Sequence, residues 1–168
     1  MSGFLRLLSL SIALIAAPTQ SSAEVEPPGR VGRISLASAG TQLRIGDSLA
    51  SGEDALNWPL TTGAFIETSA GGRSEVRIGS MALHIDAGTA LEFADLDDAR
   101  IRLRLHRGSI VIVLRNPEHA AETTLETPEG SLRFETPGSY RADVAGGTTA
   151  FSAYRGRALI ETVGLTLQ

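Results

Sequence analysis

Residues Leu60–Phe93 read LTTGAFIETSAGGRSEVRIGSMALHIDAGTALEF. Phe65 and Glu67 alternate with Ile66 and Thr68, and Gly71-Gly72 breaks the run. Val76, Ile78, Leu83, Ile85, Leu91 and Phe93 then recur in pairs two residues apart, with Gly79 and Gly88 between the pairs. A period of two punctuated by glycine marks short strands joined by tight turns, and no helical period competes with it.

The same grammar extends to both sides. Val31–Leu36 reads as a strand, Ser38-Ala39-Gly40 as its turn, and Thr41–Ile45 as the returning arm of a hairpin. Gly46–Asn57 is polar and turn-rich. Trp58-Pro59-Leu60 then brings the single tryptophan against the body, first as a core lid and second as a ligand-stacking ring. Beyond Phe93, Asp95-Leu96-Asp97-Asp98 forms an acidic turn. In Arg100–His106, Ile101, Leu103 and Leu105 face one way and Arg100, Arg102, Arg104 and His106 the other. Arg107-Gly108 reads as a turn, and Ser109–Leu114 as a strand covered on both faces. Asn116–Glu122 is an irregular excursion with room for one helical turn. Short strands resume around Leu125, Leu132, Tyr140 and Phe151, separated by Pro128, Pro137-Gly138 and Gly146-Gly147.

A weak repeat runs through this pattern. Gly130-Ser131-Leu132 follows Gly79-Ser80…Leu83 with Leu132 49 residues after Leu83, and Arg155-Gly156 follows Arg107-Gly108 at 48 residues. Such periods suit stacked supersecondary units. The expected fold is therefore all-β over 31–168: a solenoid-like stack of short antiparallel strands or a β-sandwich, with no long helix. Leu159–Gln168 is still strand-like, which calls for a continuation of the domain or a partner.

With 168 residues the chain has room for one domain with a real core. It has no cysteine, hence no disulfide framework, thiol chemistry or lipobox anchor. Every basic residue is arginine, and the formal charge of −4 argues against a nucleic-acid binder. Arg6, the apolar run Leu7–Ala17, Pro18 and Ser21-Ser22-Ala23 compose a signal peptide over 1–23, cut before Glu24. Its apolar run falls well short of the ~20 residues that span a bilayer. Residues 24–30, with Pro27-Pro28-Gly29, read as a linker. The expected location is periplasmic or secreted, without an integral membrane segment once the leader is removed.

No stretch assembles catalytic chemistry. Gly46-Asp47-Ser48-Leu49 matches the nucleophile block of GDSL-type esterases, where a downstream aspartate and histidine activate the serine. The required D-x-x-H pair is absent: Met81, Leu103 and Asn116 stand three residues before His84, His106 and His119. A calcium loop counted from Asp95 fails at its sixth position, Arg100, and its twelfth, His106. The histidines lack metal-ligand spacing, and no cofactor motif occurs. The row Arg100, Arg102, Arg104 is the candidate site. It reads either as a solvated strand face paired with carboxylates such as Glu92 or as a face for an anionic partner.

Leu60, Gly63, Ile66 and Thr68, then Val76, Ile78 and Gly79, then Leu83, Ile85, Thr89, Leu91 and Phe93 resemble the extracytoplasmic domain of the FecR family. The likeness extends over roughly Val31–Glu161. It implies a β-rich, solenoid-like stack and a role in binding or sensing. Well-known family members also carry a cytoplasmic sigma-factor-binding domain and a membrane helix, in whose place this sequence reads as a leader. The resemblance thus implies a stand-alone exported domain that binds an envelope protein or glycan without catalysis. A structural assembly unit of the envelope and an esterase using Ser48 are the other two classes.

Overall fold

The computed structural model describes residues 30–162. The expected signal peptide, the expected linker up to residue 29 and the last six residues of the strand-like end lie outside the described residues. The elements are β1 (Gly32–Ala37), β2 (Thr41–Ile45), β3 (Ser48–Ser51), a 3-10 turn (Gly52–Ala55), β4 (Pro59–Leu60), β5 (Phe65–Thr68), β6 (Ser74–Ile78), β7 (Met81–Ile85), β8 (Ala90–Leu96), β9 (Ile101–Leu114), α1 (Pro117–Glu122), β10 (Thr123–Thr127), β11 (Gly130–Phe134), β12 (Gly138–Ala145), β13 (Thr148–Arg155) and β14 (Ala158–Thr162). The fold is all-β, and its one α-helix among the described residues has 6 residues.

The strands form two sheets that share β9. The first runs β4-β1-β6-β7-β9-β12-β13. The second runs β3-β2-β5-β8-β9-β10-β11-β14. After the outermost strands β4 and β3, both orders advance from the N-terminal to the C-terminal end, so the molecule is a stack of hairpins dealt alternately to two facing sheets. Every pairing is antiparallel except β9 with β10, which is parallel.

The inward rows meet in one apolar cluster. Across the first sheet, Ile34, Val76, Leu83, Ile112 and Tyr140 stand opposite one another in turn. Across the second, Phe93, Leu103, Leu125 and Leu132 do the same. All nine are buried. Alternation along each strand is what places them there, since successive side chains point to opposite faces.

Three sequence expectations need correction. Thr41–Ile45 does not return beside β1. β1 pairs with β4 and β6 while β2 pairs with β3 and β5, so Ser38-Ala39-Gly40 carries the chain from one sheet to the other. Arg107-Gly108 is not a turn: β9 runs 14 residues through it. Ser109–Leu114 is not covered on both sides: Ile110, Ile112 and Leu114 are buried, but Val111 and Val113 are half-exposed.

The last two corrections share one cause. Ile101, Leu103 and Leu105 are buried before Gly108, and Ile110, Ile112 and Leu114 after it, so the inward phase slips by one residue there. Gly108 has φ +87 and lies so close to Thr89 that a Cβ would overlap the Thr89 Cα and Oγ1. This is the signature of a bulge, which bends a strand and re-aims its side chains. N-terminal to it β9 belongs to the second sheet, and C-terminal to it, to the first. Arg155-Gly156, its counterpart in the repeat, carries the chain from β13 in the first sheet to β14 in the second. Gly156 has φ +98, and the Tyr140 hydroxyl and Pro137 carbonyl crowd it.

Thr68 and Thr89 hold the crossing at Gly108. Thr68 Oγ1 donates to the Asp86 carbonyl (2.6 Å) and accepts from the Thr89 amide (2.9 Å). Thr89 Oγ1 donates to the Ser109 carbonyl (3.1 Å) and accepts from the Ser109 amide (3.0 Å). Both threonines are buried, and the network satisfies polar groups that burial would otherwise penalise.

Candidate functional site

The outer face of the second sheet carries one register row across seven strands: Arg44, Phe65, Glu92, Arg104, Glu126, Ser131 and Glu161. Strict alternation in β9 puts Arg102 and Arg104 on this face. Pairing with β8 and β10 sets acidic residues on both flanks. Arg104 Nη1 donates to Glu92 (3.1 Å), while Arg104 Nη2 donates to Glu126 (3.0 Å). Arg102 Nη2 meets Asp95 at 2.8 Å and its Nη1 lies 3.6 Å from Glu126. Among the described residues, Arg102 Nε is a buried donor without a partner.

Arg100 stands apart from the other two. It precedes β9 in the turn that begins at Asp97, and its side chain reaches Asp97 at 3.9 Å while remaining largely exposed. Asp97 is the turn's organiser: its Oδ1 accepts from the Ala99 and Arg100 amides, both at 2.8 Å. Those backbone donors hold its carboxyl below the ordinary range. Asp95, expected in that turn, belongs to β8 instead.

His106 extends the row. Its Nε2 is 2.9 Å from Glu92, and its ring lies 5.7 Å from that of Phe65, over which the Arg44 guanidinium sits at 5.1 Å. Burial opposes the charge on Glu92, yet the His106 hydrogen bond and Arg104 outweigh it and lower its pKa. The hydrogen bond to Glu126 raises the Arg104 pKa further against partial burial. The face is thus a fixed alternation of charges. An incoming anion must displace Glu92 or Glu126 from Arg104, whereas a ligand bearing both donors and acceptors can bind without breaking the row.

A recess of about 500 Å³ opens at the C-terminal side of this row, where β10 ends and leaves β9 without its neighbour beyond Arg104. Arg104, His106, Glu126, Ser131 and Glu161 line it. The arginine row was readable from the sequence, but this recess was not, because it depends on where β10 stops. Phe65 was the one available clue: it shares the phase of Glu67, which marks an aromatic turned outward.

The other singled-out residues lie elsewhere. Ser48 follows the two-residue turn Gly46-Asp47, which joins β2 to β3, and it is exposed. Among the described residues the serine–histidine hydrogen bond is Ser80 Oγ to His119 Nδ1 (2.9 Å), far along the chain from Ser48. There the other ring nitrogen of His119 faces Gly79, which leaves it a packing contact under α1. His84 lies on the outer face of the first sheet, 3.3 Å from Glu75. Trp58 packs against the core beside the 3-10 turn and leaves part of its ring at a shallow recess with Leu49 and Asp54. Among the described residues no group of three or more metal-ligating side chains converges, and no helix is long and apolar enough to cross a membrane. No family model, curated protein or solved structure matches the chain.

Proposed function

We propose that the protein is a non-catalytic, extracytoplasmic binding or sensor module of the FecR type, and that it engages an envelope protein or glycan through the outer face of the second sheet. The observation that carries the reading is the charged row ending in the Arg104–His106–Glu126 recess. Arginine forks, carboxylates and one half-buried aromatic ring on a rigid sheet are the groups that recognise hydroxyl-rich polymers and mixed-charge protein surfaces. The leader-like N-terminus and the FecR-type pattern of Leu60–Phe93 support the location and the class.

The test is binding of the purified protein to envelope polysaccharide and to any protein recovered by pull-down, compared with the Arg102→Glu/Arg104→Glu double variant. The reading expects binding to be lost while the melting transition stays two-state. Binding that survives the double reversal refutes the face as the site.

A further inference from the structure

The two ends of the stack are finished differently. At the N-terminal end, the 3-10 turn Gly52–Ala55 and Trp58 close over the core, and Ala55 is fully buried. At the C-terminal end the core rows run out into solvent. Ile160 of β14 continues the row Phe93, Leu103, Leu125, Leu132, since it stands opposite Leu132, yet it is 56% exposed. In the first sheet, Ala153 and Phe151 continue the inward row opposite Tyr140 and Ala142, and Ala153 is exposed while Phe151 is half-covered. Leu159 and Tyr154 add outward apolar surface at 47% and 66% exposure. Among the described residues β13 has β12 as its one neighbour and β14 has β11, so both strands also offer a free backbone edge.

Natural edge strands are blunted by charge, proline or bulges that face a would-be partner. β13 carries no proline and one charged residue, Arg155 at its last position, and β14 carries only Glu161, which its own Arg133 holds at 2.6 Å. The other end presents more acid, with Asp47, Glu53 and Asp54 all exposed, although its edge strand β3 is uncharged and Leu49 on it is 73% exposed.

We infer that the occupant of the open end is a second copy of this chain, docked end to end about a two-fold axis normal to the sheets. That axis sets β13 against β13 and β14 against β14, both antiparallel, and joins each sheet to its copy. The inward rows then meet themselves: Ile160 stands opposite Ile160, and Phe151 and Ala153 are covered. Pairing Ile160 with Ile160 sets Glu161 opposite the copy's Leu159, so the carboxylate of β14 does not meet its own kind. The symmetry closes at two copies, because a two-fold contact uses the same patch on both partners and leaves neither open.

The chain has no cysteine, which makes a direct test simple. Sedimentation of the purified protein across a wide concentration range should give a monomer–dimer equilibrium that stops at two. Ile160→Lys should weaken it roughly a hundredfold, since two large apolar side chains lose their burial per dimer, with the melting transition of the monomer retained. Ile160→Cys should oxidise to a covalent dimer, and Leu49→Cys, at the capped end, should not. Four results overturn the inference. They are a monomer at every concentration, oligomers that grow without limit, equal cross-linking at Leu49, and a monomer whose β13 and β14 amides resist hydrogen exchange as strongly as those of β9. The last result would mean that another part of the chain covers the edge.

Discussion

Gly108→Ala is the sharpest probe of the shared strand. An alanine at φ +87 takes the left-handed penalty of about 1–2 kcal/mol. Its Cβ would also overlap Thr89 and sit 2.8 Å from the Gly88 carbonyl, so Thr89 must move. Moving it breaks the two hydrogen bonds that Thr89 Oγ1 makes with Ser109, each worth about 0.5–1.5 kcal/mol. The total is about 2–5 kcal/mol, a large share of the roughly 5–15 kcal/mol that holds a domain folded. Gly88→Ala is the control: its φ is +69, but nothing lies within 4 Å of the added methyl, so it should cost only about 1–2 kcal/mol. Urea unfolding of both variants measures the gap, about 1 M in midpoint at an m-value near 2 kcal/mol per molar. Midpoints that coincide would show that Gly108 supplies backbone freedom alone and that the close approach to Thr89 is not part of the crossing.

Tyr140→Phe tests the crossing at Gly156. The buried hydroxyl serves the carbonyls of Thr136 (2.7 Å) and Arg157 (3.0 Å), so its removal should cost about 1–2 kcal/mol by the same unfolding assay. Leu103→Ala, at the centre of the second sheet's inward row, should cost about 2–5 kcal/mol. Glu92 has a folded-state pKa below its unfolded value. Its native form therefore binds fewer protons, and its contribution is present above the ordinary glutamate range and lost as pH falls through its lowered pKa. Glu92→Gln should accordingly lose less stability than the wild type when acidified below about pH 4; equal acid limbs in the two unfolding titrations would contradict the shift.

The sequence carried the local alternation well and the path of the chain poorly. The period of two in Val76–Phe93 and in Ile101–Leu105 predicted strands and named the inward residues, because alternation is a property of neighbouring side chains. It could not say which sheet a strand joins. Ser38-Ala39-Gly40 has the composition of a hairpin turn, and a short polar link looks the same whether the chain folds back or crosses over. Arg107-Gly108 and Arg155-Gly156 were noticed as a repeat, but a positive-φ glycine serves a turn and a bulge equally well. Only the phase slip between Leu105 and Ile110 distinguishes them, and the apolar Val111 and Val113 concealed it. For the candidate site, Arg102 and Arg104 and their neighbour Glu92 were legible from phase. Glu126 and Ser131 were not, because the parallel pairing that brings them alongside is set by where α1 returns the chain. Asn116 starts that helix by accepting from the His119 amide at 2.8 Å.

In a simple stack each layer touches only the next, and unravelling can start at one end and stop part-way. β9 removes that freedom. It is the interior strand of both sheets, flanked by β8 and β10 below Gly108 and by β7 and β12 above it. Neither sheet can release it without stripping the other. A one-residue shift in its alignment would expose buried rows on both sides of the molecule at once. The halves of the chain before and after it are thereby bound to a common fate: they melt together, and an error of registration at this one ribbon cannot stay local.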